Sequence, residues 1–158
     1  MKNRIQIFLA AIFLVMMMTA CGEDPALTQF RKNMDDFCTK ISEIDTSINN
    51  IDAQSENSIS ELLSYLDELD LAFQSFAEFD FPEEFDYLEG LAAESSEYMT
   101  EAVKSYHDAY SNGTYNEYTA EYAKQNYSRA YKRVQIIISF LHGEEPTDPD
   151  LSIEYESN

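Results

Sequence analysis

The chain has 158 residues, with 30 Asp and Glu against ten Lys and Arg, a formal net charge of −20 at pH 7. Such an excess of acid repels nucleic acid and anionic lipid or wall polymer, and favours solubility, loose cation binding or a basic partner. Two cysteines, Cys21 and Cys38, exclude a disulfide scaffold and a cysteine-based metal site.

The amino terminus reads as an export signal. Lys2 and Arg4 form a short positive region, and Ile5 to Met18 is apolar except for Gln6. That run is shorter than the roughly 20 apolar residues a spanning helix needs and fits the apolar region of a signal peptide. It ends in Met18-Thr19-Ala20-Cys21, which resembles a bacterial lipobox. The resemblance covers only the first 21 residues. It implies a signal peptide over 1–20, cleavage before Cys21, and acylation of that cysteine. The expected location is a bacterial cell envelope, with the chain anchored on the extracytoplasmic side and the lipid bilayer as its first partner. Two acyl chains give the pair of attachments that stable anchoring requires. Residues 21–23 are then a lipidated tether. Lys2 and Arg4 leave with the signal, so eight bases face 30 acids in the remainder.

Four segments follow in which apolar residues recur every three or four positions. The first runs Leu27, Phe30, Met34, Phe37, Ile41, Ile44, Ile48, Ile51; the second Ile59, Leu62, Leu66, Leu69, Phe73, Phe76. The third runs Phe81, Phe85, Leu88, Ala92, Ser95, Met99, Ala102, Tyr106, Ala109; the fourth Ala120, Ala123, Tyr127, Ala130, Val134, Ile137, Leu141. This is the period of amphipathic helices and not of strands. Cys38 lies beside the first stripe and reads as an inert core thiol. Asp24-Pro25 is a cap followed by proline at the first helical position. Ser58 with Glu61 and Thr114 with Glu117 have capping-box spacing, and Asp80 precedes Glu83 by three near the third start. Gly113 and Gly143 stand where helices would stop. Short turns between long helices predict an all-α, antiparallel up-down-up-down four-helix bundle over 24–143. Alanine-rich third and fourth stripes predict a close approach of those two helices. Residues 144–158 carry six acids, two prolines and no base, and are expected to form a disordered acidic tail.

No chemistry is legible. A di-iron bundle needs Glu three residues before each His, and Lys104 and Ser139 stand there before His107 and His142. HExxH, CxxCH, GxSxG and a Gly-rich phosphate loop are absent. The reading assigns no catalytic residue, no metal and no cofactor. Asp67, Glu68 and Asp70 have calcium-binding chemistry but fall on a helix, not in a loop of alternating ligands, so a solvated face is expected.

Charge layout is the strongest remaining signal. From Ile41 to Val103 there is no Lys or Arg and there are 17 acids, while Arg31, Lys32, Lys40, Lys124, Arg129, Lys132 and Arg133 fall on the first and fourth helices. Candidate partner-binding residues are therefore Asp67, Glu68, Asp70, Glu78, Glu83 and Glu84 on the acidic side, with Tyr110 and Tyr115 at turns distant from the tether. The expected function is a non-enzymatic binding or accessory module engaging a basic protein or peptide, an immunity or inhibitor protein being one form. The alternative is a small-ligand or saccharide module that stacks its ligand on Tyr118, Tyr122, Tyr127 and Tyr131. Of these, Tyr127 belongs to the core stripe and the others are expected to be partly exposed. An envelope hydrolase is a third, weaker reading.

Overall fold

The computed structural model describes residues 24–111 and 115–144. The signal region, Cys21, the tether, Gly113, Thr114 and the tail from 145 onward lie outside these residues. The described residues form four packed α-helices and one 3-10 turn, with no strand. They are α1 (Pro25–Asn49), α2 (Ser58–Ala77), the 3-10 turn (Glu83–Leu88), α3 (Glu89–Tyr110) and α4 (Glu117–Leu141). Among them, no helix is long and apolar enough to cross a membrane.

The helix ends follow local chemistry, with departures from expectation. Asp24 caps α1, its carboxylate accepting from the Ala26 N–H at 2.9 Å, and Pro25 opens the helix where no N–H is needed. Ser58 is not a cap. Asn57 precedes the first turn of α2 in helical conformation and makes no side-chain cap bond. The Ser55 hydroxyl accepts from the Asn57 N–H instead, which tightens the approach one residue early. At α4 the cap is Asn116, whose side chain accepts from Thr119 N–H at 3.1 Å. Gly143, at φ 72°, ends α4 in the left-handed conformation that glycine adopts without strain.

The third helix begins later than the Asp80–Glu83 pattern suggests. Pro82 is extended, and a proline disfavours helical geometry in the residue before it. The six residues from Glu83 then wind as a 3-10 turn, which advances about 2.0 Å per residue against 1.5 Å in an α-helix. Phe81 and Leu88, at the two ends of this stretch, are both buried. The linker thus serves as a lid over one end of the core.

Two kinds of packing coexist. Around α1, α2 and the linker the core is aromatic. Phe37 stacks on Phe76 at 4.4 Å, meets Phe73 edge-on at 5.4 Å, and Phe30 packs on Phe81 at 4.7 Å. On α3 and α4, which make the most extensive helix–helix contact, many of the buried residues are small. Eight small ones, Ala92, Ser95, Ala102, Ser105 and Ala109 on α3 and Ala120, Ala123 and Ala130 on α4, are buried beside the larger Met99, Val103, Val134, Ile136 and Ile137. Small side chains let two backbones approach, as the stripes predict. Ile59 departs from its stripe, being 49% exposed at the first turn of α2.

Candidate functional site

The polar groups divide into four places. The first lies between α2 and α3. Asp67 accepts a 2.7 Å bond from His107 Nε2, and Asp70 accepts from Thr100 Oγ1 at 2.6 Å and from Gln74 Nε2 at 2.8 Å. Glu68, one position on, turns toward α1 and pairs with Lys40 at 3.5 Å. The three acids expected to act together therefore serve two seams. Each keeps solvent access, Asp67 and Glu68 having half-exposed side chains. His107, next to Tyr106 of the third stripe, is a cross-helix partner. Glu78, Glu83 and Glu84 are exposed at the linker, with no base on it.

The second place joins α1 to α4. Tyr127 and Tyr131 both donate their phenol O–H to Asp45, at 2.7 and 2.9 Å, one to each carboxylate oxygen. They stand one turn apart, their rings stacked at 4.8 Å, with Phe73 of α2 against Tyr131 at 5.5 Å. Burial pushes both tyrosines well above the ordinary phenol range, helped by the Asp45 carboxylate at Tyr127 and by the Tyr127 phenol and the Asp45 carboxylate at Tyr131. Both hydroxyls stay protonated and donate. Tyr131 stays partly exposed, as its angle from the stripe predicts, while its hydroxyl reaches a charged acceptor at the edge of the core.

The remaining candidate tyrosines are separate from this clamp. Tyr118 is 90% exposed, and Tyr115 and Tyr122 about half exposed, all on the amino-terminal side of α4. Tyr110 and Tyr115 pack ring to ring at 5.3 Å across the turn. The four proposed stacking residues accordingly split into an exposed pair, Tyr118 and Tyr122, and an occupied pair, Tyr127 and Tyr131.

The third place is the α3–α4 seam. Arg133 bonds Glu94 at 3.0 Å, and its guanidinium lies 4.8 Å from the centroid of the Tyr98 ring, with that of Arg129 at 5.6 Å. Asn126 is 2% exposed; its oxygen accepts from Arg129 at 3.3 Å while its Nδ2 has no partner. Sequence reasoning missed Asp45 and Asn126. Each is a lone polar residue beside a stripe, and its role is set by residues far away in the chain.

The fourth place is an open groove of about 370 Å³ between α1 and α2, with Phe37, Ala72 and Phe79 in its floor. Cys38 is half-buried, and burial together with the charge of Asp35 pushes its thiol up to about 11. It therefore holds its proton and is a poor nucleophile at neutral pH. Among the described residues, no group of three His, Cys, Asp or Glu is placed to hold a metal ion. No family model, no curated protein and no solved structure matches this chain.

Proposed function

We propose that this chain is a membrane-anchored lipoprotein of a bacterial envelope, tethered through acylated Cys21 and acting as a non-enzymatic module that engages a basic protein or peptide. The observation that carries this reading is the run from Ile41 to Val103, with 17 acids and no Lys or Arg. It covers the end of α1, all of α2 and most of α3. Such a face steers a cationic partner toward it at salt-sensitive rates. The bases of α4 are committed elsewhere in part, since Arg133 and Arg129 lie against Tyr98 and Asn126.

The arrangement behind this reading is an antiparallel up-down-up-down bundle. Its support is the order of the cross-helix contacts. Phe37 meets Phe76 whereas Lys40 meets Glu68, and Asp67 meets His107 whereas Asp70 meets Thr100. In each pair of helices, partner numbers fall as residue numbers rise. Only Gly22 and Glu23 separate Cys21 from Asp24, so the folded part stands close to the bilayer.

Two experiments test the reading. Labelled palmitate should be incorporated into the protein and not into Cys21→Ser, which should leave the membrane fraction; equal labelling of both removes the anchor. Crosslinking in the native cell should capture a basic protein whose yield falls steeply with salt. Capture that is indifferent to salt removes the role of the acidic face.

A second reading rests on the exposed Tyr118 and Tyr122, which offer aromatic faces for stacking a saccharide. It predicts salt-tolerant binding of a glycan that is lost in Tyr118→Ser.

A further inference from the structure

The α1–α2 groove differs from the rest of the acidic surface because it has an apolar interior. Phe37, Ala72 and Phe79 floor it, Leu71 and Ser75 edge it, and the Lys40–Glu68 pair closes one end. Leu71 is 63% exposed and, with Ile59, is one of two large aliphatic side chains left exposed among the described residues. An exposed leucine beside two phenylalanines on so charged a surface is the kind of patch that marks an interaction site. The volume is that of a binding cleft, large enough for side chains of a partner but too open for a small ligand to be enclosed.

Charge decides among occupants. Asp36 and Glu43 stand four before and three after Lys40 on α1, so they share its side of the helix, and both are exposed. Glu78 and Asp80 flank Phe79 and are also exposed. Glu68 lines the groove, and the other four acids stand within three positions of its lining residues, against Lys32 and Lys40. The carboxy-terminal stretch of the chain carries six acids and no base, so the rim repels it. A second copy of a molecule with a charge of −20 is repelled in the same way. The complement is a segment with large apolar side chains along one stripe and Lys or Arg on its flanks.

We propose that this groove receives an amphipathic helix of a basic partner, its apolar stripe seated over Phe37, Leu71 and Phe79 and its cationic flanks meeting Asp36, Glu43, Glu68 and Glu78. The proposal rests on the acidic-face reading and assigns that face a specific seat. Helix-in-groove recognition places its anchors at i, i+3 or i+4, and i+7, which follows a seam between two helices. The apolar anchors set the dissociation rate, and the rim sets the association rate and its dependence on salt.

The test uses full-length protein in phosphatidylcholine nanodiscs, with empty nanodiscs as the blank. The probe is a synthetic helical peptide with leucines at heptad spacing, lysine flanks and a benzophenone on the apolar face. Two comparison peptides accompany it, one scrambled at the same composition and one with glutamate in place of lysine. The amphipathic basic peptide should bind and crosslink to residues around 37–40 and 71–79. Affinity should fall about tenfold or more in Leu71→Asp, which removes an anchor, and in Ser75→Trp, which fills the groove from an exposed position. Gln125→Ala, at an exposed position of α4, should bind as the native protein does. Equal binding of the scrambled peptide, or crosslinks spread over the acidic surface, overturns the groove and leaves the acidic-face reading standing. Equal binding of the glutamate peptide overturns the role of the rim. A dimer in sedimentation that is lost in Leu71→Asp would give the groove to a second copy and overturn the proposal. Failure of every basic peptide to bind overturns both readings together.

Discussion

At the scale of single residues, Asp45 is the most consequential polar side chain. It accepts two phenol hydroxyls at the edge of the core, and hydrogen bonds to a charged group contribute about 1.5–3 kcal/mol each. Asp45→Ala should cost about 2–4 kcal/mol in urea unfolding, more than Tyr127→Phe or Tyr131→Phe alone, because it leaves two sheltered donors unpaired. The same cluster sets an alkaline limit. In the unfolded chain these phenols ionise near 10.0, while in the folded protein they are held above that value. Their contribution is complete below pH 10 and is lost as the pH rises beyond it. Stability should fall by roughly 1.4 kcal/mol per pH unit for each tyrosine above that point. The double variant Tyr127→Phe/Tyr131→Phe should show a flatter alkaline limb. Asn126 works in the opposite direction. Its buried Nδ2 lacks an acceptor, and an unsatisfied buried donor costs about 1–3 kcal/mol. Asn126→Leu, of the same branched shape though larger, should raise the urea midpoint without changing the slope. Neither Asp45 nor Asn126 announces itself in the sequence. Asp45 follows Ile44 on the flank of a strong stripe, and nothing local signals that Tyr127 and Tyr131, more than 80 residues later, will reach it.

The elements themselves were far more legible. Apolar spacing fixes which face of each helix turns inward, and Phe30, Met34, Phe37, Ile41 and Ile44 on α1 are all buried as their period requires. Ends were less legible. Ser58 had the right spacing from Glu61 for a cap, but a turn through Ser55 and Asn57 settles that start. The angle of Tyr131 from the stripe predicts its partial exposure but cannot foresee an acceptor on another helix. The candidate acids share this limit. Asp67, Glu68 and Asp70 are close in sequence, yet one turn of helix distributes them between α1 and α3. Two predictions belong at this scale. The α3–α4 seam depends on small residues, so Ala102→Leu or Ala123→Leu, each at 0% exposed positions, should destabilise by about 1–3 kcal/mol through overpacking. In native-state hydrogen exchange, amides of α3 and α4 should be the most protected and those of α1 the least. α3 and α4 make the broadest contact, whereas α1 makes close backbone contact mainly with α2. Uniform protection across the four helices would contradict this ordering.

For the molecule as a whole, self-repulsion is the dominant long-range term. With 30 acids against ten bases, the midpoint of thermal unfolding should rise as salt is raised from about 0.01 M to about 0.15 M, as the screening length shortens from about 30 Å to about 8 Å. The ion pairs that span helices, Lys40–Glu68 and Arg133–Glu94, have half-exposed acids and offset little of this. The uneven packing described above also has a mechanical meaning. If Cys21 is fixed in a bilayer, any pull between that anchor and the rest of the body passes through α1, the helix with the fewest close neighbours. The Asp45 clasp, near the far end of that helix, is what couples it to the last one. Under load the first helix should therefore peel from its tethered end toward the clasp, letting the protein yield like a short strap before the alanine-packed pair gives way.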